Sequence, residues 1–223
     1  MDTARIPISR LFPLRWLRPF PVLVFLGVAM NATAVETVNF DSTEPGALPA
    51  GWLAGVTGKG SPSWSVEREA SAPSKPNVLK QSGSGTFPWC VRKDAALADG
   101  FAEVKFKPVA GREDQAGGLV WRWKDRDNYY VARANALEDN VSLYYTEGGS
   151  RKTIKYVDAP VARDTWHTLR VEFSGKRIKV ILDGVARIEL EDAHIAGAGA
   201  VGVWTKADSV TLFDDFSYGA APR

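Results

Sequence analysis

His167-Thr-Leu-Arg-Val-Glu-Phe173, Ser174-Gly-Lys176, Arg177-Ile-Lys-Val-Ile-Leu182, Asp183-Gly184 and Ala186-Arg-Ile-Glu-Leu190 decide the fold class. In the first run Leu169, Val171 and Phe173 alternate with Thr168, Arg170 and Glu172; in the next, Ile178, Val180 and Leu182 alternate with Arg177 and Lys179. A period of two buries one face of a strand and wets the other, as in antiparallel sheets. Asp183-Gly184 between two alternating runs is a strong hairpin signal. Outward from this stretch, further strand-like runs cover residues 101–107, 118–124, 129–134, 141–146, 153–157, 201–206 and 210–218. Turn chemistry separates them, as in Lys124-Asp-Arg-Asp-Asn128 and Glu147-Gly-Gly-Ser150. No helical pattern of useful length follows the N-terminal segment. The expected architecture is all-β, an antiparallel two-sheet sandwich. Residues 53–85, rich in Gly, Ser and Pro, are expected to form long loops with two short strands, at 64–66 and 77–80.

The N-terminus carries Arg5, Arg10, Arg15 and Arg18, then an apolar run from Phe20 to Met30, then Ala32-Thr33-Ala34. Basic region, apolar stretch and small-x-small site in that order describe a cleaved secretory signal over residues 1–34. The apolar run is about half the length a spanning helix needs, so the mature chain is expected to have no membrane span. The domain proper is expected at 35–223, exported to the periplasm or beyond. The chain's net charge of +2 belongs to the leader: without it, 24 basic residues face 25 acidic ones. Such a balance argues against nucleic-acid binding through phosphate contacts. The one cysteine, Cys90, excludes a disulfide framework within the chain and is expected to be buried and inert.

Several stretches together resemble a known superfamily. These are Phe40-Asp41 followed by Pro45-Gly-Ala-Leu-Pro-Ala-Gly-Trp52, the central Gly118-Leu-Val-Trp-Arg-Trp-Lys-Asp-Arg-Asp-Asn-Tyr-Tyr-Val131, and the closing Gly199-Ala-Val-Gly-Val-Trp204 with Phe213-Asp-Asp-Phe216. They resemble concanavalin A-like jelly rolls of exported bacterial proteins, in particular the 3-keto-disaccharide hydrolase domain and laminin-G-like domains. The resemblance implies the β-sandwich and one of three functions: glycan recognition, cleavage of (3-keto) glycosides by hydrolysis or elimination, or protein interaction. Folds of this kind host all three, so the site must decide.

Gly197-Ala-Gly-Ala-Val-Gly202 matches a dinucleotide fingerprint in letters only, since it leads into a strand with no βαβ unit around it. A glycosidase dyad needs two facing carboxyls, and no spacing in the chain supplies one. Glu138, Asp125 and His167 are the remaining acid/base candidates; His167 shares the buried parity of its strand. Asp41, Asp214 and Asp215 are compatible with a structural Ca²⁺ of the sort such jelly rolls hold between first and last strands. Aromatic content is the most suggestive feature, because sugar C–H faces stack on rings while hydroxyls take planar polar partners. If Leu119, Trp121 and Trp123 face the core, strand parity puts Arg122 on an open concave face. Tyr130, Tyr144, Trp204 and Lys206 are expected to join it there as a carbohydrate site.

Overall fold

The structure, a computed structural model, describes Met1 and residues 35–220; the expected signal segment, Met1 apart, lies outside the described residues. Every regular element among them is a strand. In chain order these are β1 (Glu36–Val38), β2 (Trp52–Ser61), β3 (Trp64–Arg68), β4 (Asn77–Gln81), β5 (Ser84–Leu97), β6 (Gly100–Ala110), β7 (Ala116–Asp125) and β8 (Asn128–Asn135). There follow β9 (Asn140–Glu147), β10 (Ser150–Asp158), β11 (His167–Ser174), β12 (Arg177–Leu182), β13 (Val185–Glu191), β14 (Gly199–Trp204) and β15 (Val210–Ala220). They form two antiparallel sheets. The first runs β13-β12-β11-β6-β15-β4-β3, with β1 also paired to β15; the second runs β10-β9-β8-β7-β14-β5-β2.

The alternation that defines the class does the packing. Leu169, Val171 and Phe173 of β11 and Ile178, Val180 and Leu182 of β12 turn inward to meet Leu119, Trp121, Tyr130, Leu143 and Val203 from the second sheet. Trp121 stacks on Tyr130 at 5.2 Å and reaches Phe173 across the gap at 6.1 Å. Leu182 pairs with Val185 across Asp183-Gly184, and both turn residues have positive φ, at 51° and 77°. That is the backbone a two-residue turn between right-twisted strands requires.

The stretch 53–85 differs from expectation. Besides the strands near 64 and 77 it supplies the long edge strand β2, ten residues paired to β5 from Trp52↔Arg92 onward. Glycine hides this strand from propensity, yet it serves packing. A Cβ on Gly55 would lie 2.4 Å from the Trp89 indole, so the ring rests on bare backbone.

Candidate functional site

With Leu119 and Trp121 turned to the core, the intervening Val120 faces away from it. So do Val131 on β8, Tyr144 on β9, Trp204 on β14, and Trp89 and Val91 on β5. The outer face of the second sheet is therefore apolar too and must be covered. The sheet covers it with itself. The Thr57 hydroxyl on edge strand β2 sits 2.6 Å from the Tyr129 hydroxyl on β8 and donates to the Arg126 carbonyl in the β7–β8 turn. Arg126 Nη2 returns a bond to the Gly58 carbonyl at 3.4 Å. From the opposite edge, the Arg151 guanidinium of β10 reaches the Phe87 ring of β5 at 4.5 Å. Partners four or five strands apart in the ladder meet over the face, so the sheet is rolled. Trp89, Tyr129, Tyr144 and Trp204 are buried beneath the contact.

The expected open face is thus corrected in two ways: it is filled, and two of its expected members are elsewhere. Arg122 has φ 46°, and the β7–β8 register slips between Trp121 and Asp125. The bulge resets the alternation. Trp123 turns outward to Trp89, 5.1 Å away, instead of joining the core. Arg122 turns to the end of the core, donating to the carbonyls of Ala98, Ile195 and Gly175 at 3.0, 3.1 and 2.6 Å. Tyr130 pairs with inward Trp121 across the ladder and is itself inward. Its hydroxyl donates to Asp192 and accepts from the Ile195 amide at 3.1 Å. Burial first, then Asp192, pushes its pKa well above the usual phenol value. Tyr129 takes the outward place. Tyr144 and Trp204 do lie on the outer face, with Lys206 just past the end of β14.

One end of the roll is polar. The Asp114 carboxylate, buried, accepts from Lys206, from Asn135 Nδ2 at 2.5 Å and from Arg133 Nη1 at 3.4 Å. Arg133 Nη2 also meets Glu138 at 2.5 Å and Asn140 Oδ1 at 3.0 Å. Burial raises the Asp114 pKa despite Lys206 and Arg133. Burial would also raise Glu138, but its bonds with Asn140 and Arg133 outweigh that and hold it below the ordinary carboxylate value. Beside this cluster opens a pocket of about 460 Å³ lined by Lys59, Thr86, Phe87, Glu113, Arg151 and Lys206 among others. Arg151 lies over both Phe87 and Tyr144, the latter at 4.2 Å. Its Nη1 is buried with no hydrogen-bond partner among the described residues.

A larger indentation of about 540 Å³ lies against the first sheet, along Phe101, Arg170 and Lys179. Its cations have carboxylate partners: Arg170 pairs with Glu172 at 2.8 Å and Glu103 at 3.4 Å, Lys179 with Glu189 at 3.8 Å, and Arg177 reaches Glu191 at 4.0 Å. The mouth beside Arg151 has unspent donors, and donors are what a polar ligand needs.

The acid/base candidates do not meet. Asp125, the last residue of β7, and Glu138, in the β8–β9 turn, lie at opposite ends of β8, on the order of 25 Å apart for a strand of that length. Asp125 accepts from Asn128 and the Asp127 amide. His167, buried on the other sheet, bonds Asp183 at 2.7 Å and the Ala162 carbonyl at 2.9 Å. Each of the three aspartates expected for Ca²⁺ has protein donors. Asp41 accepts from the Asn77 amide at 2.9 Å, Asp214 takes the Ser74 amide and hydroxyl at 2.8 Å each, and Asp215 pairs with Lys105 at 2.7 Å. No group of three or more His, Cys, Asp or Glu among the described residues is placed to hold a metal.

Sequence reasoning missed Asp114, Arg133, Arg151 and Phe87. Arg133 was within reach: it shares outward parity with Val131 and Tyr129. Phe87 and Arg151 are brought together by the roll, which no local pattern encodes.

Comparison with known proteins places this fold. No family model matches the chain. A levanase of Bacillus subtilis (strain 168) is 28% identical over 116 residues, 51% of this chain. The chain's match spans only 16% of that protein's length. Among solved structures, the carbohydrate binding module CBM66 from Bacillus subtilis aligns with TM-score 0.64 and 21% identity, covering 76% of this chain and 96% of the module. A Bacillus licheniformis beta-glucanase aligns at 0.56 with 12% identity, covering 85% and 98%. The fold is the concanavalin A-like jelly roll.

Proposed function

We propose that this domain is an exported carbohydrate-recognition module whose ligand enters the mouth of the rolled second sheet. The observation that carries the reading is the pocket itself. It puts a half-buried ring, Phe87, beside the Arg151 guanidinium, the Lys206 ammonium and the Glu113 carboxylate, in a volume typical of small-ligand sites. A ring for the apolar face of a sugar and planar or point donors for its hydroxyls is the chemistry a saccharide needs. The relatives support the class: one solved neighbour is named a carbohydrate binding module and another a glucanase. Recognition is favoured over hydrolysis because Glu113 is the one carboxylate among the pocket's lining residues. Its neighbour Asp114 is buried under Lys206. Glycoside hydrolysis of the usual kind takes two carboxyls facing the bond, and this lining offers one. Secretion agrees with the N-terminal sequence pattern and with extracellular sugars as ligands.

Calorimetric titration of the mature protein against fructan, β-glucan and uronate oligosaccharides tests this. Binding to at least one, weakened about tenfold or more by Phe87→Ala with the melting temperature retained, is expected. Turnover of a sugar by the wild-type protein, or binding unaffected by Phe87→Ala, would overturn the assignment.

A further inference from the structure

The charges at the mouth do not balance, and the imbalance has an address. Three cations, Arg133, Arg151 and Lys206, converge there with two carboxylates, Asp114 and Glu138. Asp114 is shared by Arg133 and Lys206, and Glu138 bonds Arg133. On the lip, Lys59 and Glu113 add one charge of each sign. Arg151 is left. It has no carboxylate partner and no side-chain hydrogen bond among the described residues, and its Nη1 is buried. Burial pulls its pKa down, opposed by Tyr144 and Asp114, yet a guanidinium stays charged at any ordinary pH.

Its position is held from outside the ligand. Phe87 at 4.5 Å and Tyr144 at 4.2 Å contact the guanidinium, and Trp204 lies 5.8 Å away. Ring contacts satisfy the face of a guanidinium and leave its in-plane N–H groups untouched. An edge strand gives Arg151 every chance to extend into water, where those groups would be hydrated at no cost. Instead it is folded inward over the sheet and lines the pocket. A fixed planar fork of donors with one uncompensated positive charge matches a planar oxyanion better than a neutral hydroxyl.

We propose that the ligand is an acidic glycan whose carboxylate, or equivalent oxyanion, is bound by Arg151, with Lys206 beside it and Phe87 under the sugar ring. The inference rests on the carbohydrate reading and names its substrate class: uronate-type saccharides rather than neutral ones.

Titrations compare short galacturonate and glucuronate oligosaccharides with their carboxyl-reduced counterparts, which keep the ring and linkage and lose only the charge. A sulfated galactan oligosaccharide forms the third arm. Charge-assisted hydrogen bonds of this type are worth about 10- to 100-fold in affinity, so the acidic form should bind tighter by that factor. The preference should collapse in Arg151→Gln, while Lys179→Gln on the first sheet, away from the mouth, should leave it intact. Tighter binding of the sulfate ester than of either uronate would place the same site on sulfated glycans. Equal affinity for acidic and reduced forms of a bound sugar would sink the inference and leave recognition standing. A preference for the acid that survives in Arg151→Gln would remove Arg151 from it. No binding of any saccharide would overturn both. The wild-type comparison of acidic and reduced ligands needs no variant, so a folding defect in Arg151→Gln cannot mask the answer.

Discussion

Replacing Thr57 by Val tests whether the second sheet is rolled as described. The two side chains have nearly the same shape, so the change removes one hydroxyl and little packing. That hydroxyl lies 2.6 Å from the Tyr129 hydroxyl and also contacts the Arg126 carbonyl, joining the β2 edge to the far side of the sheet. Tyr129 is fully buried and its phenol pKa is raised, first by that burial. A buried polar group left without its partner costs about 1–3 kcal/mol, more than the net worth of the bond itself. For a chain of this size each kcal/mol moves the melting temperature by about 2–4 °C, so a fall of roughly 3–10 °C is expected. Scanning calorimetry measures it. Tyr129→Phe should cost a similar amount, and the double variant less than the two together, with a coupling of about 0.5–1.5 kcal/mol. Strict additivity, or a melting temperature unchanged in Thr57→Val, would mean that β2 does not close over the face in solution. The roll, and with it the mouth, would then be wrong.

Three further outcomes follow from the geometry. Gly55→Ala puts a methyl 2.4 Å from the Trp89 indole; the overpacking should cost about 1–3 kcal/mol, less a few tenths for reduced chain entropy, read as a lower melting temperature. Asp214 is buried and its pKa is raised, chiefly by that burial, to about 6. The native state therefore holds a proton that the unfolded chain releases near pH 4, and stability from this group is present at low pH and falls by up to about 3 kcal/mol as pH rises from 4 through 6. Asp214→Asn should lack that fall, so parallel pH profiles for variant and wild type would contradict it. Cys90 is buried and its thiol pKa is pushed well up by desolvation. Its labelling by a thiol reagent should be absent in the native protein and appear with global unfolding; prompt labelling under native conditions would refute the burial.

The fold class was legible because alternation is a local consequence of burying one face. The runs at 167–173 and 177–182 and the Asp183-Gly184 turn carry it without help from distant residues. Edge strand β2 was not legible, since Gly55, Gly58 and Gly60 suit it to lie under an indole and to bend over the face, properties that propensity reads as loop. The site was half legible. Parity placed Tyr144 and Trp204 on the outer face, and failed at Arg122 because one bulged residue inverts everything after it. Trp123 and Arg122 exchanged roles for that reason alone. Phe87 and Arg151, 64 positions apart in sequence, meet because the sheet curls back on itself, and curvature is a sum over seven strands that no single run reveals.

Rolling also determines what kind of ligand the domain can hold. A flat sheet bearing Trp89, Trp123, Tyr129, Tyr144 and Trp204 would be a stacking platform for an extended neutral chain. Here those rings are mostly covered: Trp204 lies 5.7 Å from Phe87, Trp89 lies 5.1 Å from Trp123, and Arg151 lies 4.2 Å over Tyr144. The apolar surface of Trp89, Tyr129, Tyr144 and Trp204 is already removed from water, so a ligand gains nothing by covering it again. What remains accessible at the mouth is one half-buried ring and a set of charged groups, one of them unbalanced. Affinity must then come mainly from charge-assisted contacts, which weaken with ionic strength in a way that ring stacking does not. Raising salt from about 0.05 M to 0.5 M should therefore weaken binding of an acidic saccharide severalfold, with little effect on its carboxyl-reduced form. A salt-independent affinity would mean that the buried rings open to the ligand, and that the rolled sheet is the closed state of a platform.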